Sequence, residues 1–195
     1  MAFLKSLPQE GVLLNLFRMF PDTSLPLIQY HEVLMRGPSS FTVAERELIA
    51  AYVSGINSCS YCHGVHTATA ERFGIDEGLL VQLLDDLDTA GIAEKMKPIL
   101  RYAAKLTRMP SRVTQNDADT IFAAGWSDRA LYETVSVCAL FNFMNRLVDG
   151  LGITADVEYF EFAGRRLSEG GYAELEKLVR AGDNESLNTP KELGE

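Results

Sequence analysis

Two of the chain's three cysteines and two of its three histidines fall within eight residues, Cys59-Ser60-Tyr61-Cys62-His63-Gly64-Val65-His66. A C-x-x-C pair in the first turn of a helix sets both sulfurs on one side, near enough to close a disulfide. The free N–H groups and dipole of that helix end favour a thiolate. Such surroundings can lower a cysteine pKa from ~8.5 to ~3.5–7.5. His66 follows Cys62 by four residues, one turn along the same face, where its imidazole can take the thiol proton directly or through water. Glu47 precedes Cys59 by twelve residues. If its helix packs antiparallel to the next, its carboxylate can reach His66, fix the ring and stabilise its charged form, as the third member of a triad does.

Four chemistries fit these residue types. The leading one is a thiol redox centre in which Cys59 and Cys62 cycle between dithiol and disulfide. A zinc site would use Cys59, Cys62 and one or two of His63, His66 and His31, but structural zinc usually takes its second ligand pair much further along the chain. Cys59-Ser60-Tyr61-Cys62-His63 also matches the C-x-x-C-H of covalent haem attachment. That attachment normally needs export, and the start of the chain has no long apolar segment of a signal peptide. The fourth reading is two inert cysteines packed on a core helix.

The elements that must hold these groups read as helices nearly throughout. Apolar residues recur at steps of three and four, and no segment sustains a period of two. Thr42-Val43-Ala44-Glu45 is a capping box opening a helix to about Gly55. Ser58 is expected to cap a second helix from Cys59 to Phe73, ended by Gly74. Further starts are expected at Asp76, Thr114 and Ser127, and Pro26 and Pro98 are placed in first turns. A faint internal repeat relates Glu47–Asn57 to Glu133–Asn142, each entering a second helix closed by glycine (Gly74; Gly150 and Gly152). It suggests two similar helical units with the chemistry kept in the first. The expected organisation is one all-helical domain over 1–182, followed by a polar segment, 183–195, acting as a flexible tail or an interface arm.

The 195 residues suit one domain, and 47% hydrophobic with 23% charged residues is an ordinary globular balance. Eighteen basic and 27 acidic side chains leave a net charge of −9, which argues against binding nucleic acid or an anionic membrane surface. No apolar stretch approaches the ~20 residues that span a bilayer. A cytoplasmic location is expected, and three cysteines in such a reducing compartment do not form a disulfide framework.

The pattern of Glu47, Cys59, Cys62 and His66 resembles the signature of the alkylhydroperoxidase D-like proteins of the carboxymuconolactone decarboxylase superfamily. The lead-in Arg36-Gly37-Pro38-Ser39 with Phe41–Glu47, and the later segment Leu140–Gly152, resemble the peroxidase-related branch. The likeness runs from about residue 10 to 180. It implies an all-helical AhpD-like fold that forms homo-oligomers, and a thiol peroxidase or disulfide reductase activity. It further implies Cys62 as the peroxide-attacking thiol, Cys59 as the resolving one, and Glu47 with His66 as the proton relay. Thioredoxin logic would give the lead to Cys59, as the more exposed cysteine; the turn shared by Cys62 and His66 favours Cys62. Alkylhydroperoxidase D has a histidine between its cysteines, where this chain has Tyr61. The decarboxylase branch lacks the C-x-x-C, so lactone decarboxylation is not expected.

The implied partners are a small peroxide and an external dithiol or thiol-protein reductant, with no bound cofactor and no catalytic metal. The alternative is a non-enzymatic or zinc-binding helical protein built on the same cluster. Elsewhere, His31 is expected at a surface or interface, and His63 on another side of its helix. Tyr61 is expected to cover the thiols or reach a partner, and Cys138 to pack in the core. Asn142, Asn145, Arg146 and Asp149 are expected either to satisfy one another in the core or to cross a subunit interface. Arg165-Arg166 and Asp85-Asp86 read as solvated faces.

Overall fold

The computed structural model describes residues 2–8 and 10–182, so the segment 183–195 expected as a tail or arm lies outside the described residues. Among the described residues the regular structure is helical: α1 Leu13–Met19, α2 Pro21–Arg36, α3 Val43–Ile56, α4 Ser60–Arg72, α5 Leu79–Asp85, α6 Lys97–Arg108, α7 Gln115–Ala123, α8 Asp128–Gly150 and α9 Val157–Ala181. Helix α3 is the axle. Every residue from Arg46 to Ser54 is buried, as in a helix enclosed on all sides. It packs on α4, α6 and α8; α4 in turn lies against α9, and α9 against α2. No helix among the described residues is long and apolar enough to cross a membrane.

Local signals set several of these ends. Thr42 and Glu45 form the expected capping box: Glu45 N–H donates to Thr42 Oγ1 at 3.1 Å, and Thr42 N–H to Glu45 Oε2 at 2.8 Å. Asp117 closes the same motif on Thr114, and Ser127 caps α8. Three expectations are corrected. Helix α5 starts at Leu79 behind a left-handed Gly78, not at Asp76. Pro26 sits in the second turn of α2, because Pro21 already holds the first helical position. The second copy of the suspected repeat lies in one unbroken helix, α8 from Asp128 to Gly150, so it does not enter the separate second helix expected there.

The α4–α9 contact depends on small residues. A methyl on Gly164 would lie 2.8 Å from Ala68 Cβ and 3.0 Å from the Ala68 carbonyl carbon, and backbone cannot step aside as a long side chain can. Gly164→Ala is therefore expected to destabilise the protein by about 1–3 kcal/mol through overpacking, read as a lower urea midpoint at unchanged slope. An unchanged midpoint would show that the two helices separate freely.

Candidate active site

The turn from α3 to α4 delivers the cysteines. Cys59 N–H donates to the Ser54 carbonyl at 3.0 Å, which forces Ser58 into the left-handed region at φ 57, a conformation that serine seldom adopts. Cys59, not Ser58, therefore becomes the N-cap of α4. Asn57 ties this turn to α8, its Nδ2 donating to Asn142 Oδ1 at 3.1 Å and Asn145 Oδ1 at 2.8 Å. Asn145 Nδ2 donates onward to Ser54 Oγ at 2.9 Å. Arg146 braces Asn142 through its backbone and side-chain oxygens, while Asp149 is exposed. The polar group on α8 thus serves the cysteine turn.

Both cysteines are free thiols and buried, and their sulfurs are neighbours. The Cys62 thiol is pushed well above its ordinary value, first by its hydrogen bond with Cys59 and then by burial; the Asn145 amide acts in the opposite direction. The helix end alone therefore does not make Cys62 a resting thiolate, contrary to the simple expectation, and a base must remove its proton. Cys62 retains 4% exposure against 0% for Cys59, which reverses the thioredoxin-like order of access.

Glu47 and His66 meet as the antiparallel packing of α3 and α4 requires. His66 Nδ1 donates to Glu47 Oε2 at 2.6 Å. The other carboxylate oxygen accepts from Arg36 Nη1 at 2.5 Å. Glu47 is fully buried. Burial alone would raise its pKa, but His66 and Arg36 outweigh burial and hold it below the usual carboxylate range. Arg36 is anchored further on the carbonyls of Met35 and Leu167, with the rings of Tyr172 and Phe73 at 5.0 and 5.3 Å from its guanidinium. The edge-on ring of Phe141, centred 4.5 Å away, fixes the other side of His66.

Cys62 and His66 line one cavity of about 70 Å³ whose walls are otherwise largely apolar. His31 lines it too, a correction to the expected surface or interface position: it is buried at 4% exposure, and its Nδ1–H donates to the Leu27 carbonyl at 2.8 Å. Tyr61 covers this space from within the chain, its hydroxyl hydrogen-bonded to that of Tyr159 at 3.1 Å. Arg166 is half-buried at the cavity rather than fully solvated. His63 lies outside it, with Nδ1 at 2.9 Å from the Ala51 carbonyl. Cys138 is core, within hydrogen-bonding reach of Thr107 and Asn142. Among the described residues no three His, Cys, Asp or Glu side chains group as metal ligands.

Arg36 and Tyr172 are site residues that sequence reasoning missed, and Asn145, read there only as a core or interface polar group, supports the cysteine turn. Arg36 had a signal, since a carboxylate buried on an enclosed helix demands a cation, but its partner is set by tertiary packing.

Burial lowers the His31 pKa to about 4 from 6.5, outweighing the hydrogen bond to the Leu27 carbonyl, which acts in the opposite direction. The unfolded chain then binds the extra proton between those values, so stability is lost as pH falls through that window. The expected loss attributable to His31 is about 3 kcal/mol from pH 7 to pH 4. Urea titrations at both pH values check it: the fall should shrink by that amount in His31→Phe, and equal falls would contradict the assignment.

Residues 21–105 match the profile of the Carboxymuconolactone decarboxylase family. No curated protein matches the chain. Among solved structures, an uncharacterised peroxidase-related protein from a Silicibacter species is 27% identical with a TM-score of 0.71, over 76% of this chain and 78% of that one. An uncharacterised peroxidase-related protein from Ralstonia eutropha, described as an alkylhydroperoxidase AhpD core, is 24% identical with a TM-score of 0.70, over 77% and 78%. A protein of unknown function from Agrobacterium tumefaciens shares the fold at 17% identity and a TM-score of 0.65, over 74% and 97%.

Proposed function

We propose that this chain, whose residues 21–105 match the profile of the Carboxymuconolactone decarboxylase family, is a thiol-dependent peroxidase working through Cys62, Cys59, His66 and Glu47. The observation that carries this reading is the buried Glu47–His66 pair beside a cavity lined by the same His66 and by Cys62, with Cys59 adjacent. Glu47 holds His66 by Nδ1, which leaves Nε2 as the acceptor. His66 takes the Cys62 proton, directly or through a water. The Cys62 sulfur attacks the terminal peroxide oxygen and becomes a sulfenic acid, and the displaced oxygen takes the proton from His66 to leave as an alcohol or water. Cys59 condenses with the sulfenic acid, releasing water and forming the Cys59–Cys62 disulfide. An external dithiol or thiol protein reduces it by exchange and is itself oxidised. No bound cofactor enters the cycle. The zinc alternative finds no ligand group of three among the described residues.

This reading places a homo-oligomer in the reducing cytoplasm, where dithiol is in supply. The test is consumption of tert-butyl hydroperoxide by the purified protein with dithiothreitol as reductant. The expected result is catalytic consumption above the rate of dithiothreitol alone, lost after alkylation of the thiols. Consumption no faster than the reductant alone would overturn the reading.

A further inference from the structure

Among the described residues that line the cavity, one buried polar side-chain atom has no hydrogen-bond partner. Tyr172 is 4% exposed and lines the cavity with Cys62 and His66. Its hydroxyl has no hydrogen-bond partner among the described residues. A buried hydroxyl left unmatched is costly in a folded protein, so its persistence calls for a ligand.

The fold goes to some length to place this ring. Helix α9 breaks at Gly171, with φ 62 and ψ −163, a conformation essentially restricted to glycine. The chain resumes its helix at Tyr172. Glu32 caps that restart, its Oε2 accepting from the N–H groups of Tyr172 at 2.8 Å and Ala173 at 3.0 Å. A methyl on Gly171 would sit 3.0 Å from the same carboxylate oxygen. The ring is then held between the Arg36 guanidinium, 5.0 Å from its centre, and the ring of His31, also at 5.0 Å.

Resting on the peroxidase reading, we propose that the Tyr172 hydroxyl donates a hydrogen bond to the oxygen that leaves when Cys62 attacks the peroxide. In that step the S–O bond forms as the O–O bond breaks. Cys62 sulfur is oxidised, and the leaving oxygen carries the negative charge until it takes the proton that His66 drew from Cys62. Tyr172 keeps its own proton throughout; burial, with the Glu47 charge next, holds its pKa well above the ordinary phenol value. A donor aimed at charge that appears only in the transition state accelerates the reaction without stabilising the resting site.

Tyr172→Phe removes only the hydroxyl. Reduced wild type and variant are mixed with tert-butyl hydroperoxide, and thiol loss is followed; in parallel, Cys62 is alkylated with iodoacetamide, which expels iodide and needs no donor at the leaving atom. The peroxide rate constant should fall roughly 10²-fold, with the alkylation rate unchanged and the thermal midpoint unchanged or higher. An equal peroxide rate, a parallel loss of alkylation, or a lowered midpoint overturns the proposal, the last by showing a structural role. A wild type that alkylates yet ignores peroxide overturns the peroxidase reading itself, which separates the two failures.

Discussion

Replacing Glu47 with alanine is expected to cost roughly 3–5 kcal/mol of stability, the effect of leaving a buried cation without its partner. The carboxylate is fully buried and serves two groups at once, His66 at 2.6 Å and Arg36 at 2.5 Å. Its loss strands the Arg36 guanidinium, whose side chain is only 12% exposed, with two carbonyl oxygens for company. For a chain of this size the thermal midpoint should drop on the order of 10 °C. Glu47→Gln keeps the shape and an acceptor for Arg36, so it should lose less stability. It also removes the negative charge that favours the His66 imidazolium, so its peroxide turnover should fall about 10²-fold or more. The sign with pH follows from the lowered Glu47 pKa: the stabilisation is present above the ordinary carboxylate value and disappears as pH falls through the folded one. Calorimetry and turnover on the two variants check both arms. A Glu47→Ala midpoint equal to wild type would mean that the ion pair contributes nothing net.

The cysteine variants are expected to stop the cycle at different points. Cys62→Ser should abolish peroxide consumption, because a serine hydroxyl beside His66 is neither oxidised nor displaced by thiol exchange. Cys59→Ser should still lose one thiol per protein to peroxide and halt at the Cys62 sulfenic acid, trappable with dimedone. The 4% exposure of Cys62 against 0% for Cys59 gives the peroxide access to the former. Mass spectrometry of each variant after one equivalent of peroxide reads the outcome. A dimedone adduct on Cys59 in Cys62→Ser would exchange the two roles.

The parts of this structure that a sequence shows are the ones local chemistry sets. Thr42 with Glu45, Thr114 with Asp117, and Ser127 are caps made by neighbours three residues apart, and each starts a helix where the rule places it. The pair Glu47–His66 was legible for a related reason: once α3 and α4 are antiparallel, spacing alone brings their faces together. Ser58 failed as a cap because the Cys59 N–H finds Ser54 across the turn, a bond that overrides serine's own preference. His31 failed because a histidine on an amphipathic helix does not declare which face will be covered, and here the covering groups, Tyr172 and Phe141, come from α9 and α8. Arg36 and Asn145 reach the site over 11 and 88 residues, to Glu47 and Asn57 respectively, beyond any helical period. Tyr172 was missed because its place depends on the break of α9 at Gly171, which sets the ring against the cavity.

On the peroxidase reading, Cys59 and Cys62 form a redox pair driven by peroxide. Free thiols counted in the unfolded protein before and after one equivalent of tert-butyl hydroperoxide, with peptide mapping of the product, test it most directly. The expected result is a fall from the three cysteines of the sequence to Cys138 alone, with a single bridge joining Cys59 to Cys62 that dithiothreitol reverses. An unchanged count, or a bridge involving Cys138, would contradict it.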